Sequence, residues 1–338
     1  MRILVTGAAG FICGYLIPEL LEAGHDVVGV DNFSKYGRIA KSFDAHPHYR
    51  LVEGDAKNVD LLTELLQDCD QVVAGAAMIG GISYFHEFAF DLLAENERIL
   101  AASFDAAIAA RRKGLRKINV ISSSMVFENA STFPTPEGAQ LTSPPPASTY
   151  GFQKLSSEYF AKGAWEQYQL PYTIVRPFNC VGIGERRALT DAQVMSGNIK
   201  LAMSHVVPDL VQKVVKGQDP LHILGDGKQV RHYTYGGDLA RGIRLCIESE
   251  QATNEDFNLS TAESTTVLEL AALIWRKVRG DEPLRVINDP PFAYDVQRRV
   301  PDVSKACRLL GFSATTGLDA VLDEVIPWIK AEVDAGRI

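Results

Sequence analysis

The sequence predicts an α/β fold, in which a doubly wound parallel β-sheet of Rossmann type is joined to a smaller C-terminal α/β domain. Three features of the 338-residue chain support this prediction. Short apolar runs alternate with helical stretches through the first half of the chain. A glycine turn joins the first run to the first helix. The alternation then breaks down after Pro177, where the chain becomes irregular and polar.

Short, nearly continuous apolar runs in the first half of the chain predict the strands of the sheet. Runs of this kind, without alternation of polar and apolar residues, are typical of strands that are buried on both faces. The predicted strands are Ile3–Thr6, Val27–Asp31, Tyr49–Glu53, Val72–Ala74, Ile118–Ser122 and Tyr172–Arg176.

Helical stretches lie between these strands and continue beyond them. Glycine or proline closes several of them, as is common just after the last turn of a helix. The predicted helices are Phe11–Ala23, Leu61–Leu66, Leu92–Arg112, Gly151–Gln169, Leu210–Lys216, Val267–Val278 and Leu318–Val333. The segment Ser131–Thr149 is rich in Pro, Ser and Thr and is predicted to be a loop.

This pattern divides the chain into two predicted domains. Residues 1–178 plus about 232–262 would form the Rossmann domain, and about 179–231 plus 263–338 would form the smaller one. Within the second half, Tyr233–Leu259 is expected to return to the sheet.

Composition excludes several classes of partner. The net charge is −8 and there is no block of like charges, so we expect neither nucleic acid nor an anionic membrane as the main partner. No apolar run approaches the roughly 18 residues that a membrane span needs. An apolar strand begins directly after Met1-Arg2, so we expect no signal peptide.

The cysteines and histidines predict neither disulfides nor a metal site. The five cysteines are scattered and contain no C-x-x-C pair, which favours reduced thiols in a cytoplasmic protein. The seven histidines show no paired spacing of metal ligands, so we expect no metal.

The glycine turn predicts a dinucleotide site. Gly7 and Gly10 follow a strand and open a helix, where glycine permits a tight turn and the helix N-terminus offers N–H groups to a pyrophosphate. Cys13 stands where a third glycine would be expected, and its side chain is small. Asp31 ends the second strand, where a carboxylate accepts hydrogen bonds from ribose hydroxyls and repels a 2′-phosphate. We therefore expect NAD rather than NADP.

A second group of residues predicts the chemistry. Tyr150 and Lys154 are four residues apart and follow the run Ser122-Ser123-Ser124. The spacing alone carries little information. Downstream of a serine run and a dinucleotide turn, it indicates hydride transfer with the tyrosine as acid and base.

These motifs resemble the extended short-chain dehydrogenase/reductase family, in its NAD-dependent nucleotide-sugar epimerase/dehydratase branch. The match runs in order through nearly the whole chain. It comprises Thr6-Gly7-Ala8-Ala9-Gly10-Phe11-Ile12, Asp31-Asn32, Gly54-Asp55, Ala74-Gly75-Ala76-Ala77, Asn96, Ser122-Ser123-Ser124, Tyr150 with Lys154, Arg176-Pro177-Phe178-Asn179, the segment from Gly225 to Arg231, and the segment from Arg298 to Asp302.

The resemblance implies a set of site residues. Tyr150 would exchange a proton with a sugar hydroxyl, Lys154 would lower its pKa and hold the nicotinamide ribose, and Ser123 would bind the same sugar oxygen, with Ser124 as the alternative. The residues expected to bind NAD are Gly7, Gly10, Phe11, Ile12, Asp31, Asn32, Asp55, Ala56, Ala76, Asn96, Tyr150 and Lys154. The residues expected to bind a nucleoside-diphosphate sugar are Ser123, Ser124, His86, Asn179, Arg231 and Arg299. A homodimer is also expected.

Met125 favours one reaction within this family. The resemblance implies that members which eliminate water or decarboxylate tend to carry a glutamate there, whereas methionine cannot transfer a proton. We therefore expect a 4-epimerase, which oxidises the sugar to a transient ketone and returns hydride to the opposite face. A dehydratase, decarboxylase or reductase of the same family is the alternative, with His86-Glu87 as a reserve proton donor, and a non-catalytic NAD sensor is a remote one. Phe127-Glu128, in the family's Tyr-Gly position, indicates a less usual subgroup.

Overall fold

The computed structural model describes residues 1–79, 88–185, 205–291 and 295–338. A seven-stranded sheet forms its centre. Its strands, numbered along the chain, are β1 (Arg2–Thr6), β2 (Asp26–Asp31), β3 (Tyr49–Glu53), β4 (Gln71–Ala74), β5 (Lys117–Ile121), β6 (Tyr172–Pro177) and β11 (Glu255–Leu259). They pair in the order β11-β6-β5-β4-β1-β2-β3, and all of these pairs are parallel. The carboxyl ends of the strands therefore share one edge.

Helices cover both faces of this sheet. The helices of the described residues are α1 (Phe11–Glu22), α2 (Val59–Leu65), α3 (Ala89–Arg111), α4 (Thr149–Tyr168), α5 (Val206–Val215), α6 (Gly236–Glu248), α7 (Val267–Arg279), α8 (Ser304–Leu310) and α9 (Leu318–Asp334). One face is buried by α1 and α6, with Leu16 and Ile243 in its core. The other is buried by α2, α3 and α4, with Phe104 and Ala161 in its core.

A third apolar core lies beyond the sheet. The helices α5, α7 and α9 pack around β8 (Leu221–Leu224) and β13 (Val286–Asp289), which pair in parallel. The described residues also form two short pairs of strands. They are β7 (Cys180–Val181) with β10 (Thr234–Tyr235), and β9 (Val230–Arg231) with β12 (Thr265–Thr266).

The predicted fold class is confirmed, and the predicted elements differ from the structure mainly at their ends. Helix α3 begins at Ala89 rather than Leu92. Helix α4 begins at Thr149, because the Ser148 side chain accepts a hydrogen bond from Gly151 N and so caps the first turn inside the predicted loop. The chain returns to the sheet at β11, as expected. The domain boundaries stay a prediction.

Candidate active site at the carboxyl edge of the sheet

The glycine turn between β1 and α1 depends on close contact with the segment that follows β4. Gly7 has a φ of 73°, and a Cβ atom on it would lie 2.8 Å from Ala76 Cα. Only glycine satisfies both conditions without strain. Helix α1 then begins at Phe11 without a side-chain cap. The first N–H groups of α1, including those of Phe11 and Ile12, therefore point out of the helix end, where an anion is stabilised.

Cys13 fills the place of the third glycine as a packing residue. Its Sγ atom would lie 2.9 Å from a Cβ atom built on Gly75, so the thiol sits directly against the chain after β4. Burial raises the pKa of Cys13 to about 12, which keeps the thiol protonated. The substitution therefore preserves the close contact between helix and sheet, and it adds no reactive thiolate.

Asp31 is tied to the glycine turn at the end of β2. Its two carboxylate oxygens accept hydrogen bonds from Ala9 N at 3.0 Å and Phe33 N at 2.7 Å. Each oxygen has a second lone pair, so the fixed carboxylate can still accept from a ligand hydroxyl. At the end of β3, Asp55 accepts from Asn32 Nδ2 at 3.3 Å. Asp31, Asn32 and Asp55 thus lie along one stretch of the sheet edge, with Ala56 buried beside them.

Asn96 holds the chain segment that follows β4 at this edge of the sheet. Its side chain on α3 accepts from Met78 N at 2.7 Å and donates to Met78 O at 2.9 Å. Thr6 Oγ1 accepts from Ala76 N at 3.1 Å. Both residues therefore fix the backbone that faces Gly7. The role of Thr6 was missed in the sequence, because a threonine within a strand gives no local sign of its partner.

Ser123 and Tyr150 meet beyond the end of β5. Ser123 precedes a short 3₁₀ turn, Ser124–Phe127, and its Oγ accepts from Met125 N at 3.2 Å. The Ser123 hydroxyl also forms a hydrogen bond with Tyr150, which is 6% exposed. Burial raises the pKa of Tyr150, whereas this hydrogen bond and the charge of Arg299 act to lower it.

Lys154 lies one turn further along α4. Its Nζ donates to Ile121 O at 3.0 Å and is 5.9 Å from the centroid of the Tyr150 ring. Burial lowers the pKa of Lys154 to about 8. Ser123 and Arg299 act to lower the pKa of Tyr150 in this structure, and the same role for Lys154 stays a prediction.

Apolar side chains pack on the Tyr150 ring. They belong to Leu92, Met125 and Val296, with Ile79 at the margin. Met125 is 4% exposed, so its thioether is part of the packing around the tyrosine. The side chain therefore occupies space beside Tyr150 and supplies no proton.

A buried ion network lies beneath the serine run. Arg176 binds Glu158 through two hydrogen bonds of 2.7 and 2.8 Å, and it donates to Asp256 at 2.7 Å. Glu158 in turn accepts from Ser122 Oγ at 2.8 Å. Burial acts to lower the pKa of Arg176, but the two carboxylates raise it overall. The network joins α4, which carries Tyr150, to the ends of β5 and β6.

Two arginines converge near Tyr150 from the C-terminal half of the chain. Arg231 binds Asp295 at 3.0 Å, and Arg299 Nη1 donates to Asn179 Oδ1 at 3.3 Å. Burial and then the charge of Arg231 lower the pKa of Arg299 to about 9. Burial also lowers the pKa of Arg231. Two guanidinium groups thus lie close enough to repel each other.

Three buried donors in this cluster find no partner among the described residues. They are Asn179 Nδ2, Arg299 Nε and the Tyr233 hydroxyl. Buried polar groups are nearly always hydrogen-bonded, so such a set indicates a ligand that carries acceptors. Asn179 also has a φ of 37°, in the left-handed region that few residues other than glycine adopt. Tyr233 was missed in the sequence, because no spacing rule connects it with Arg299.

The remaining predictions concern Ser124, His86, the segment 184–200, a metal site and a membrane span. Ser124 is buried at the start of the 3₁₀ turn, next to Ser123. His86 and nearly all of the segment 184–200 lie outside the described residues. In the described part of the chain, no group of three or more His, Cys, Asp or Glu could hold a metal ion. No helix there is long and apolar enough to cross a membrane.

Comparisons with known proteins find relatives and similar structures that cover nearly the whole chain. The chain is 29% identical to the UDP-glucose 4-epimerase of Corynebacterium glutamicum, over 98% of this chain and 96% of that protein. It is 26% identical to UDP-glucuronic acid decarboxylase 1 of Danio rerio, over 98% of this chain and 73% of that protein. Its fold is similar to that of UDP-glucuronic acid 4-epimerase from Bacillus cereus, crystallised with UDP-glucuronic acid and NAD. That comparison has a TM-score of 0.81 and 26% identity, and it covers 98% and 99% of the two chains.

The family model for the NAD dependent epimerase/dehydratase family matches residues 3–260. This match includes the glycine turn, the serine run and the Tyr150/Lys154 pair. The chain therefore belongs to the NAD-dependent epimerase/dehydratase family.

Proposed function

We propose that this protein is an NAD-dependent nucleotide-sugar 4-epimerase. The observation that carries the proposal is the environment of Tyr150. Its hydroxyl is bonded to Ser123, and it packs in a cluster of apolar side chains that includes Met125, which stands where the family resemblance implies a second acid or base in dehydratases and decarboxylases. Epimerisation by oxidation and reduction at one carbon requires one group that takes and returns a proton. Elimination and decarboxylation each require a further proton-transfer group.

The residues at the glycine turn fit NAD. The free N–H groups at the start of α1 would bind its pyrophosphate, and Gly7 leaves room for it. The part of the site that would hold the adenosine of NAD is formed or supported by Asp31, Asn32, Asp55, Ala56, Ala76 and Asn96. The remaining lone pairs of the Asp31 carboxylate suit the two ribose hydroxyls and repel a 2′-phosphate. When bound, NAD supplies the hydride acceptor and donor.

Tyr150 would then take the proton from the sugar hydroxyl and later return it. Ser123 would orient the same oxygen, since it already binds the phenol. Lys154 would hold the nicotinamide ribose, and its ammonium would stabilise the tyrosinate once the substrate excludes water. The hydrogen bond from Lys154 to Ile121 O keeps the ammonium at the end of β5, within reach of both groups.

The arginine cluster fits the substrate diphosphate. Arg231 and Arg299 repel each other, and the described carboxylates that act on Arg299 are Asp295, which binds Arg231, and the weaker Glu128. A diphosphate would relieve that repulsion and would accept from Arg299 Nε, Asn179 Nδ2 and the Tyr233 hydroxyl. We therefore assign residues 179–231 and 263–338 to the part that binds the nucleotide sugar, and residues 1–178 with about 232–262 to the part that binds NAD.

We also propose a homodimer in the cytoplasm. Phe152 and Tyr159 lie on one side of α4 and are 49% and 59% exposed, and Phe90 on α3 is 77% exposed. Exposed aromatic residues grouped on neighbouring helices are typical of an interface. All five cysteines are free, which suits a reducing compartment. Light scattering on the wild type and on a variant with Phe152→Glu and Tyr159→Glu would test the dimer.

A panel of UDP-, dTDP-, GDP- and CDP-sugars tests the proposed reaction. Each would be incubated with the protein and NAD, and the products would be examined by NMR and mass spectrometry. We expect inversion at C4 of one substrate with no change of mass and no net consumption of NADH. A product lighter by water or carbon dioxide would identify a dehydratase or decarboxylase instead. The Tyr150→Phe variant is the control for contaminating activity.

A further inference from the structure

Glu128 lies between the turn that carries Ser123 and the helix that carries Tyr150. It follows the 3₁₀ turn Ser124–Phe127 directly. Its Oε2 accepts from both the backbone N and the Oγ of Ser148, each at 3.0 Å. Ser148 Oγ accepts in turn from Gly151 N at 3.0 Å. A chain of hydrogen bonds therefore runs from the Ser123 turn to the residue next to Tyr150.

The contact between these two elements is close along its length. A Cβ atom on Gly151 would lie 2.7 Å from Pro146 Cβ, 2.9 Å from Met125 O and 3.0 Å from Glu128 Oε2. The first turn of α4 is thus pressed against the backbone of the Ser123 turn. A small displacement of either element would change the distance between the Ser123 and Tyr150 hydroxyls.

The charge of Glu128 also reaches the site, as the smallest of the influences on Arg299. Its Oε1 is buried and has no partner among the described residues. Its charge acts on Arg299, which faces Tyr150 from the C-terminal segment and also feels Arg231 and Asp295.

We propose that Glu128 is a positioning residue, which fixes Tyr150 against Ser123 by binding the N-cap residue of α4. This inference deepens the proposed epimerase function and rests on it for its kinetic readout. Ser148 alone still caps the helix, so loss of Glu128 should leave α4 folded but free to shift. The carboxylate is not itself in contact with Tyr150, and its effect passes through Ser148.

Glu128→Ala and Glu128→Gln separate position from charge. The amide oxygen of glutamine can still accept from Ser148, whereas alanine cannot. A misplaced catalytic group can lower the rate by up to about 100-fold. We expect Glu128→Ala to lower kcat at least tenfold with KM changed less than threefold, and Glu128→Gln to stay within threefold of the wild type. Equal losses in the two variants would overturn the proposal.

Glu269 provides a matched control, because its Oε2 accepts from the N and Oγ of Thr266 at 2.7 and 2.8 Å at the start of α7. Glu269→Ala should lower the thermal midpoint about as much as Glu128→Ala but leave kcat unchanged. A kcat for Glu128→Ala within twofold of the wild type would refute the positioning role. Ser148→Ala and Glu128→Ala should also be non-additive in kcat, since both break one chain of hydrogen bonds. Additive losses would refute it too.

A readout independent of turnover distinguishes this proposal from the proposed function. The phenol pKa of Tyr150 can be followed by NMR in protein that carries tyrosine labelled at Cζ, with Tyr150→Phe to identify the signal. Loss of the Ser123 hydrogen bond in Glu128→Ala should raise that pKa, while Glu128→Gln and Glu269→Ala should leave it unchanged. If wild-type protein epimerises no sugar, the function fails but this test still stands. An unchanged Tyr150 pKa in Glu128→Ala would overturn the positioning role alone.

Discussion

The arginine cluster gives the sharpest test of the substrate site. Arg299→Met removes a buried guanidinium but keeps an apolar side chain of similar length. A hydrogen bond to a charged group contributes about 1.5–3 kcal/mol. The loss of Arg299 also relieves its repulsion with Arg231, which offsets part of that contribution. We therefore expect a net loss of about 2 kcal/mol in UDP binding, or roughly 30-fold in Kd.

The same residue predicts how binding depends on pH. The pKa of Arg299 is about 9 in the free protein, and a bound diphosphate would raise it. Between about pH 7 and pH 8 the guanidinium and the terminal phosphate of UDP are both charged, so Kd should be constant there. Above pH 9 binding must take up a proton, so the affinity should fall as the pH rises. The Arg299→Met variant should lack this dependence.

Isothermal titration calorimetry with UDP measures both effects. Arg298→Met is the matched control, because Arg298 is exposed and stacks over Phe133 at 4.6 Å from the ring centroid. It should bind UDP like the wild type. A Kd for Arg299→Met within threefold of the wild type, or the same loss of affinity above pH 9 in that variant, would refute the reasoning.

Three further predictions concern the tyrosine, the cofactor and the buried network. Tyr150→Phe should abolish turnover while NAD stays bound, as measured by cofactor retained after gel filtration; activity near that of the wild type would exclude Tyr150 as the acid and base. Asp31→Ala should reduce the preference for NAD over NADP in direct binding, because the fixed carboxylate no longer repels a 2′-phosphate; an unchanged ratio of Kd values would show that Asp31 does not discriminate. Arg176→Met should lower the free energy of unfolding in urea by about 3–5 kcal/mol, because it leaves the Glu158 charge buried without its partner. Lys330→Met, which breaks an exposed pair with Asp334, should cost less than about 1 kcal/mol, and a similar loss in both variants would contradict the argument.

The sequence predicts those features that depend on neighbouring residues. Buried strands of a parallel sheet are continuously apolar, so β1 and β2 were placed within a residue of their ends. Gly7 was recognised because its turn follows a strand and opens a helix. The distance from Val126 selects Ser123 over Ser124, and this choice stays a prediction, although Ser123 is the serine that acts on the pKa of Tyr150.

Contacts between distant segments could not be predicted in this way. Glu158 and Arg176 bind through two hydrogen bonds, yet neither sequence position indicates that its charge is buried. The use of Asn96 to hold Met78 also depends on how α3 packs against the sheet. Local patterns specify the elements, whereas these partnerships arise only when the elements pack.

The balance of charge in the site explains why contacts between distant segments are needed there. The chain carries a net charge of −8, yet its site brings together Lys154, Arg231 and Arg299, each with a pKa lowered by burial. Burying cations without full neutralisation is unfavourable, so the surrounding fold must hold them in place. The proposed diphosphate would supply negative charge to these cations. Substrate binding and the state of the tyrosine are therefore expected to be coupled through Arg299, because the guanidinium proposed to bind the diphosphate also acts to lower the pKa of Tyr150.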